Sequence, residues 1–372
     1  MSQEIVQFGT SRFLQAHADL FVHEAATPGD PPGRIVVVAG SGSAQNRQRL
    51  AAFDDPAGFP VIIRGMQDGK PLERQVQVTS VSRGLDAQSD WADLVDTVVR
   101  DARFVISNTT EAGLTVPPNL ALDLSRPVTE PPPTYPARLL ALLTARFHAG
   151  EPGLVLLPTE LVGRNGDTLA QVVQALARRS GAPDALLAWL AQECVFANSL
   201  VDRIVSEPIE PAGAVTEPYA LWAVEARPGL RLPCVHPAIR VVDDLEPVER
   251  LKIHILNLGH TVLAEHWQAA GSPAGMTVRE VLDQAGPARM LEAVYAREVV
   301  PGFRARGMGP EAERYVATTL DRFRNPFLRH LLSDIAVNHV TKVDKRIRGF
   351  LAWAGTASPT LEGIVARHAT GA

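Results

Sequence analysis

The chain has 372 residues, 46% hydrophobic and 21% charged, enough to bury a core and long enough for two domains. Its formal net charge of −5 excludes a basic nucleic-acid surface and an anionic-membrane binder, and no apolar run reaches the ~20 residues that span a bilayer. Two cysteines, Cys194 and Cys234, are too few for a disulfide framework or a structural zinc site. The N-terminus shows no basic segment followed by an apolar run, so a cytoplasmic protein is expected.

The first part of the chain alternates strand and helix signals. Residues 4–9 read as a buried strand, 13–25 as an amphipathic helix, and 34–39 as a second apolar strand closed by the glycine-rich 40–43. Residues 60–65 and 73–82 read as strands around a turn at 68–70, and 90–101 as helix. Two more buried strands are expected at 103–107 and 153–157, and helices at 136–148, 167–179 and 183–195. Such alternation predicts a mostly parallel, doubly wound α/β sheet. Residues 127–136 read as a proline-rich surface connection, and 207–245 as a proline-punctuated join. Beyond 245 every segment favours helix: 247–270, 277–284, 286–299, 310–323 and 326–353. The expected division is therefore an α/β domain over 1–245 and an all-α domain over 246–372.

The first strand runs straight into Gly9-Thr10-Ser11-Arg12-Phe13 and a helix. This turn suits a dinucleotide pyrophosphate on a helix N-terminus, and equally an ordinary strand–helix turn. Ser11 stands where a dinucleotide fingerprint has its third-position glycine, and a serine there is expected to strain the backbone. No acidic residue follows the second strand at the ribose position, while Arg47 and Arg49 lie just beyond, which leaves NAD and NADP both open.

Only four of the 36 basic residues are lysine: Lys70, Lys252, Lys342 and Lys345. An arginine stays protonated and cannot serve as a base, so a lysine in a helix beside other polar groups draws attention. On an ideal α-helix Glu249, Lys252, Asn257 and His260 fall within a ~140° arc, with Lys252 and Asn257 roughly 7.5 Å apart along the axis. An amine, an amide and an imidazole on one side of a helix suit alcohol oxidation; a solvated polar rim is the alternative. Gly259, unfavourable in mid-helix, points to close approach by a ligand or backbone. His254 and His266 point elsewhere and read as structural. No cluster has metal-ligand spacing, so no metal is expected.

Taken together, IVQFGTSRFLQAH (5–17), SNTTEAG (107–113), YPARLLALLTARF (135–147), LPTELVGRNGDTL (157–169), SLVDRIV (199–205), VVDDLEPVERLKIHILNLGH (241–260) and RFRNPFLRHLLSDIAVNHVTK (322–342) resemble the mannitol dehydrogenase family of long-chain polyol and sugar-acid dehydrogenases. The likeness is greatest to its tagaturonate-reducing, altronate-oxidising branch. The resemblance implies a Rossmann-type N-terminal domain, an all-α C-terminal domain, and an active site in the cleft between them. It implies zinc-independent hydride transfer to NAD, with NADP open, from a small polyol or sugar acid, in a monomer or small homo-oligomer.

The family motif K-x4-N-x2-H falls on Lys252, Asn257 and His260, and the asparagine of its NG pair on Asn165. Lys252 would be the general acid–base, which requires a pKa well below the ~10.4 of free lysine. Asn165 and Asn257 would donate to the substrate oxygen, and His260 would orient a substrate hydroxyl. Glu249 would relay protons or hold the lysine. Asn108, Thr109, Thr110 and Glu111 match a segment beside the cofactor, with Gly9, Thr10, Ser11, Arg12 and Phe13. Arg322, His330 and Lys342 would meet a substrate carboxylate, with Asn325-Pro326 beside them as a helix start. Four departures stand out: Ser11 for glycine, Gln15 for arginine, Thr159 for cysteine, and an end earlier than the family's, which would open the substrate site or alter which polyol fits. Arg12 would compensate for Ser11 at the pyrophosphate. A neutral polyol such as mannitol or arabinitol is the second substrate reading, and a non-catalytic cofactor-binding homologue the third.

Overall fold

The structure, a computed structural model, describes residues 4–27, 34–126 and 128–368, apart from the Glu111 side chain. The chain forms two compact units. The first comprises residues 1–63, 74–216 and 220–245; the second comprises 64–73, 217–219 and 246–372.

The strands in chain order are β1 Ile5–Phe8, β2 Ile35–Ala39, β3 Phe59–Gln67, β4 Lys70–Val78, β5 Val81–Asp86, β6 Phe104–Ser107, β7 Val155–Pro158, β8 Val195–Phe196, β9 Ser199–Asp202, β10 Val205–Pro208, β11 Ala214–Thr216, β12 Leu221–Glu225 and β13 Ile239–Val242. Six of them form one parallel sheet in the order β5-β2-β1-β6-β7-β8. Numbered within that sheet, the order is 3-2-1-4-5-6, the dinucleotide-binding topology, whose switch point lies between β1 and β6. The central strands IVQF, IVVVA, FVIS and VLLP are buried along their whole length. Both faces are covered, so these strands read as unbroken apolar runs and not as alternation. The helix Tyr135–His148, buried on almost every side, sits in this core with Leu94, Val98, Leu169, Val173, Leu186 and Leu190 from neighbouring helices.

β3 and β4 form a hairpin closed by Asp68 and Gly69, both at positive φ, as a two-residue primed turn requires. They belong to a separate four-stranded sheet, β10-β11-β3-β4. A third sheet has the order β13-β12-β9. The proline-punctuated join over 207–245 carries short strands that the sequence reading did not name. Runs of three to five residues, such as Ala214–Thr216, are too short for periodicity to reveal. The helix expected over 183–195 stops at Gln192, and Val195–Phe196 joins the parallel sheet.

In the second unit, the named elements of the described residues beyond 245 are helices, around a core that includes Ile255, Leu258, Val262, Leu263, Tyr295, Phe303, Phe350 and Leu361. The helix expected at 326–353 is interrupted. Helix begins at Leu332, breaks after Ala336 at Asn338, which adopts the left-handed conformation, and resumes from His339. Asparagine tolerates that conformation better than most residues. The last described helix, Pro359–His368, has no counterpart in the sequence reading.

Candidate active site

In the first unit, the carboxyl ends of β1 and β6 meet at the switch point. Gly9 has φ +127°, and a Cβ there would lie 2.9 Å from the Asn108 carbonyl oxygen. Only glycine fits, and the backbone at this point stays bare. Ser11 has ordinary extended angles, φ −66° and ψ 147°, so the expected strain is absent. Its hydroxyl instead caps the following helix, accepting from the Leu14 N–H at 3.2 Å, and donates to Asn108 Oδ1 at 3.0 Å. Serine replaces glycine here by acting as an N-cap. Thr10 donates to Asn46 Oδ1, and Phe13 stacks on His17 with ring centroids 4.7 Å apart. Arg12 pairs with Glu210 at 2.7 Å and donates to Gln15. Its guanidinium therefore has an acidic partner within the chain. Gln15, fully buried, donates to the Thr10 carbonyl and accepts from the Gly213 N–H.

Asn108 Nδ2 donates to both the carbonyl and the hydroxyl of Thr159. Glu160, which sequence reasoning passed over, is buried below this loop. It accepts from Ser107 Oγ, the Thr109 N–H and Thr109 Oγ1 at 3.0–3.2 Å. A lone carboxylate directly after a buried strand was its only sequence signal. Thr110 is exposed at the start of a 3-10 turn, Glu111–Leu114; the side chain of Glu111 lies outside the described residues.

Asn165 differs from expectation. It is 1% exposed. Its Nδ2 lies within 2.9–3.1 Å of the carbonyls of Pro158, Glu160 and Ser199, and its Oδ1 accepts from the Gly166 and Ser199 N–H groups. An amide offers two protons, and both are used. In this arrangement Asn165 ties backbone segments together and has no donor left for a substrate.

In the second unit, the Lys252 helix is not an ideal α-helix. Helix Glu246–Leu251 passes through a π-helical stretch, Lys252–Asn257, into helix Leu258–Ala269. The Leu258 N–H reaches back five residues to the Ile253 carbonyl. Hydrogen bonds to the fifth residue put Lys252 and Asn257 one turn apart, closer to alignment than the α-helical wheel allows; such π-turns recur at functional sites. Gly259 is explained within the protein: a Cβ there would lie 1.9 Å from the Tyr295 hydroxyl, which donates to the Ile255 carbonyl. The close approach expected of a ligand is made by Tyr295.

His260 is buried, 4.3 Å from the Phe323 ring and 4.7 Å from the His330 ring, centroid to centroid. Burial first, then the positive charges of His330, Arg322, Arg346 and Lys342, hold its pKa well below the usual imidazole range. It is a neutral imidazole. His330 is also lowered by burial, with Asp334 opposing and Arg322 and Lys342 adding. Lys342 donates from Nζ to the Ile335 carbonyl at 2.8 Å and is lowered by burial and by Arg346. Arg346, missed in the sequence, lies along the Lys252 helix, donating to the Asn257 carbonyl and to Thr261 Oγ1. His254, as expected, is structural: Nδ1 lies 3.1 Å from the Arg346 carbonyl. Glu249 sits half-buried in the first helical segment.

Arg322 is corrected. It forms a bidentate pair with Glu217, at 3.0 and 2.9 Å, with both side chains 3% exposed or less, and it lies 4.4 Å from the Tyr219 ring centroid. The carboxylate it meets belongs to the chain. Asn325 Oδ1 accepts from the Phe327 N–H, a local turn bond. The structure therefore gathers His260, His330, Lys342 and Arg346 around the Lys252 helix and turns Arg322 to a structural pair. No helix of the described residues is long and apolar enough to cross a membrane.

Comparison with known proteins agrees with this topology. Residues 66–231 match the model of the mannitol dehydrogenase Rossmann domain, and 244–366 that of the mannitol dehydrogenase C-terminal domain. Altronate oxidoreductase of Yersinia pestis is 32% identical over 92% of this chain and 74% of its own length. That of Bacillus subtilis (strain 168) is 29% identical over 92% and 73%. Among solved structures, a substrate-free D-sorbitol dehydrogenase superposes with TM-score 0.78 at 22% identity, covering 93% of this chain and 75% of its own. Pseudomonas fluorescens mannitol 2-dehydrogenase, in a ternary complex with NAD and D-mannitol, gives 0.66 at 19%, covering 99% and 79%. These two share the fold. By its two matched domains and its relatives, the chain belongs to the mannitol dehydrogenase family.

Proposed function

We propose that this family member, an NAD-dependent oxidoreductase of polyols or sugar acids, interconverts a keto-sugar acid and its hydroxy acid, with tagaturonate and altronate as the reference pair. The observation that carries the reading is the electrostatic setting of the Lys252 helix: a π-turn holding Lys252 and Asn257, a neutral His260, and the cations Lys342 and Arg346 beside them. Those cations favour an anionic substrate through charge-assisted hydrogen bonds. The relatives named altronate oxidoreductase support the same class.

Bare backbone at Gly9 and the 3-2-1-4-5-6 strand order fit a dinucleotide at the β1–β6 switch point, with Gly9 to Phe13 and Asn108 to Thr110 as its surroundings. Bound NAD supplies the hydride acceptor, and NADH the donor. Lys252 gives a proton to the substrate oxygen in ketone reduction and takes it back in alcohol oxidation. Asn257 donates a hydrogen bond to the same oxygen as negative charge develops. His260, neutral, orients a neighbouring hydroxyl, and His330 and Lys342 face the carboxylate. Glu249 connects Lys252 to solvent protons. NAD is preferred to NADP in this reading.

The test follows NADH and NADPH absorbance with tagaturonate, fructuronate, fructose and xylulose. Turnover with a uronate and NADH is the expected result. Turnover with the neutral ketoses alone would overturn the sugar-acid assignment and leave a polyol dehydrogenase.

A further inference from the structure

Away from the Lys252 segment, three residues distant in sequence meet. Glu265 lies in helix Leu258–Ala269, His339 opens the helix after the Asn338 break, and His368 ends helix Pro359–His368. His339 Nε2 and His368 Nε2 each lie 2.8 Å from the same oxygen, Glu265 Oε2. One ligand atom from each residue falls within 4.8 Å of the others. The side chains of His339 and Glu265 are 5% and 12% exposed, and that of His368 is 21% exposed. Arg367 Nε occupies the other carboxylate oxygen, Oε1, at 2.9 Å. The His339 ring makes its polar contact only on the Nε2 side, because its buried Nδ1 has no hydrogen-bond partner.

We propose that Glu265, His339 and His368 form a binding site for one divalent transition-metal ion, zinc by preference, that fastens the C-terminal helix to the helical unit. Two imidazole nitrogens and one carboxylate oxygen suit borderline ions such as zinc. Tetrahedral bonds of ~2.0–2.1 Å place ligand atoms roughly 3.3 Å apart, so two pairs now at 2.8 Å open by about half an ångström on binding. The fourth position is left to water. Arg367 neutralises Oε1 and leaves Oε2, the oxygen shared by both rings, to the ion.

The site is structural. Glu265 follows Lys252 by thirteen residues along one helical run, roughly 20 Å at 1.5 Å per residue. The terminal helix is otherwise held by buried Leu361 and Ile364 and by Glu298, whose carboxylate accepts from the N–H groups of Thr360 and Leu361. These anchors reach no further than Ile364; beyond it Arg367 pairs with Glu265, and the metal would fix the last turn.

The experiment uses the full chain stripped of metal by a chelator. Calorimetric titration with zinc chloride is expected to show one equivalent per chain, with Kd raised at least tenfold in His368→Gln and in Glu265→Gln. Saturating zinc is expected to raise the Tm of the parent by about 3 °C and to leave that of His368→Gln unchanged. His368 is the most exposed ligand, so this variant is the one best suited to remain folded. Cobalt(II) on the unmodified chain provides a readout independent of any variant: intense visible bands of a four- or five-coordinate nitrogen–oxygen site are expected. A weak six-coordinate aqua spectrum, sub-stoichiometric zinc, or zinc affinity insensitive to both substitutions would overturn the site and leave a hydrogen-bonded His–Glu–His clamp.

Discussion

The polar side chains at the carboxyl end of β1 and those around the Lys252 helix are organised in opposite ways. At the first, Ser11, Gln15, Asn108, Glu160 and Asn165 are closed onto backbone groups or onto one another. They build a cradle held by its own hydrogen bonds. Around the second, Lys342 and Arg346 crowd positive charge on His260, which burial and those charges keep neutral. One region is shaped by saturated hydrogen bonds and the other is loaded electrostatically. Substitutions in the first should therefore read out as stability, and substitutions in the second as catalysis and substrate choice.

The sharpest division is expected between Lys252→Ala and Asn165→Ala. Loss of the acid–base group is expected to lower kcat by ~10³-fold or more, about 4 kcal/mol, with NADH affinity unchanged. Steady-state kinetics alongside NADH fluorescence titration checks it; an unchanged kcat would remove Lys252 from the mechanism. Asn165→Ala removes a donor from three carbonyls and the acceptor of two N–H groups. Its expected effect is a loss of about 3 kcal/mol in unfolding free energy. If this variant instead melts like the parent and loses only kcat, Asn165 is a substrate donor after all and the comparison fails.

A further contrast lies in pH dependence. Asp19 is fully buried, and desolvation, partly offset by Gln7, pushes its pKa up to about 8 from 3.8. Between those values the native state holds the proton that the unfolded chain has released, so stability falls as pH rises through that window. Asp19→Asn is expected to stabilise the protein progressively from pH 4 to pH 8. His17 works in the other direction. Burial lowers it to about 3, so its contribution is lost as pH falls below 6.5. Denaturation at several pH values for parent and Asp19→Asn measures the difference; a variant curve parallel to the parent's would exclude a buried, protonated Asp19.

The parallel sheet was legible because its strands are unbroken apolar runs between turn signals, and the helical second half because its apolar spacing is regular. The short strands from β8 to β13 were not, since pairing and not pattern defines them. At the candidate site, residue type and spacing singled out Lys252, Asn257 and His260, but an ideal wheel set Lys252 and Asn257 further out of line than the π-turn does. What spacing cannot show is which polar groups are already satisfied. Arg322 reads as an anion-binding arginine until Glu217, 105 residues away, is found in its fork. The Glu265–His339–His368 cluster was invisible for the same reason, its members being 74 and 103 residues from Glu265.

Lys342→Gln tests the electrostatic half of the comparison with a smaller effect. Removing one cation while keeping length and polarity is expected to raise KM for a uronate about tenfold, about 1.4 kcal/mol, and to leave KM for a neutral ketose within twofold. An equal rise for both substrates would mean that Lys342 supports the fold, through its bond to the Ile335 carbonyl, and does not select charge.

The smallest effect is expected at Ser11, where the departure from the family's glycine is sharpest. Because Ser11 has ordinary extended angles, restoring glycine relieves no strain. It removes the cap on the Leu14 N–H and the bond to Asn108. Glycine is itself a tolerable cap, so Ser11→Gly is expected to cost only a few tenths of a kcal/mol, and Ser11→Ala about 1 kcal/mol. NADH affinity in Ser11→Gly is expected to stay within twofold of the parent, by fluorescence titration. A tenfold gain would show that the serine obstructs the pyrophosphate, and that the first turn is tuned for its ligand and not only for the helix it starts.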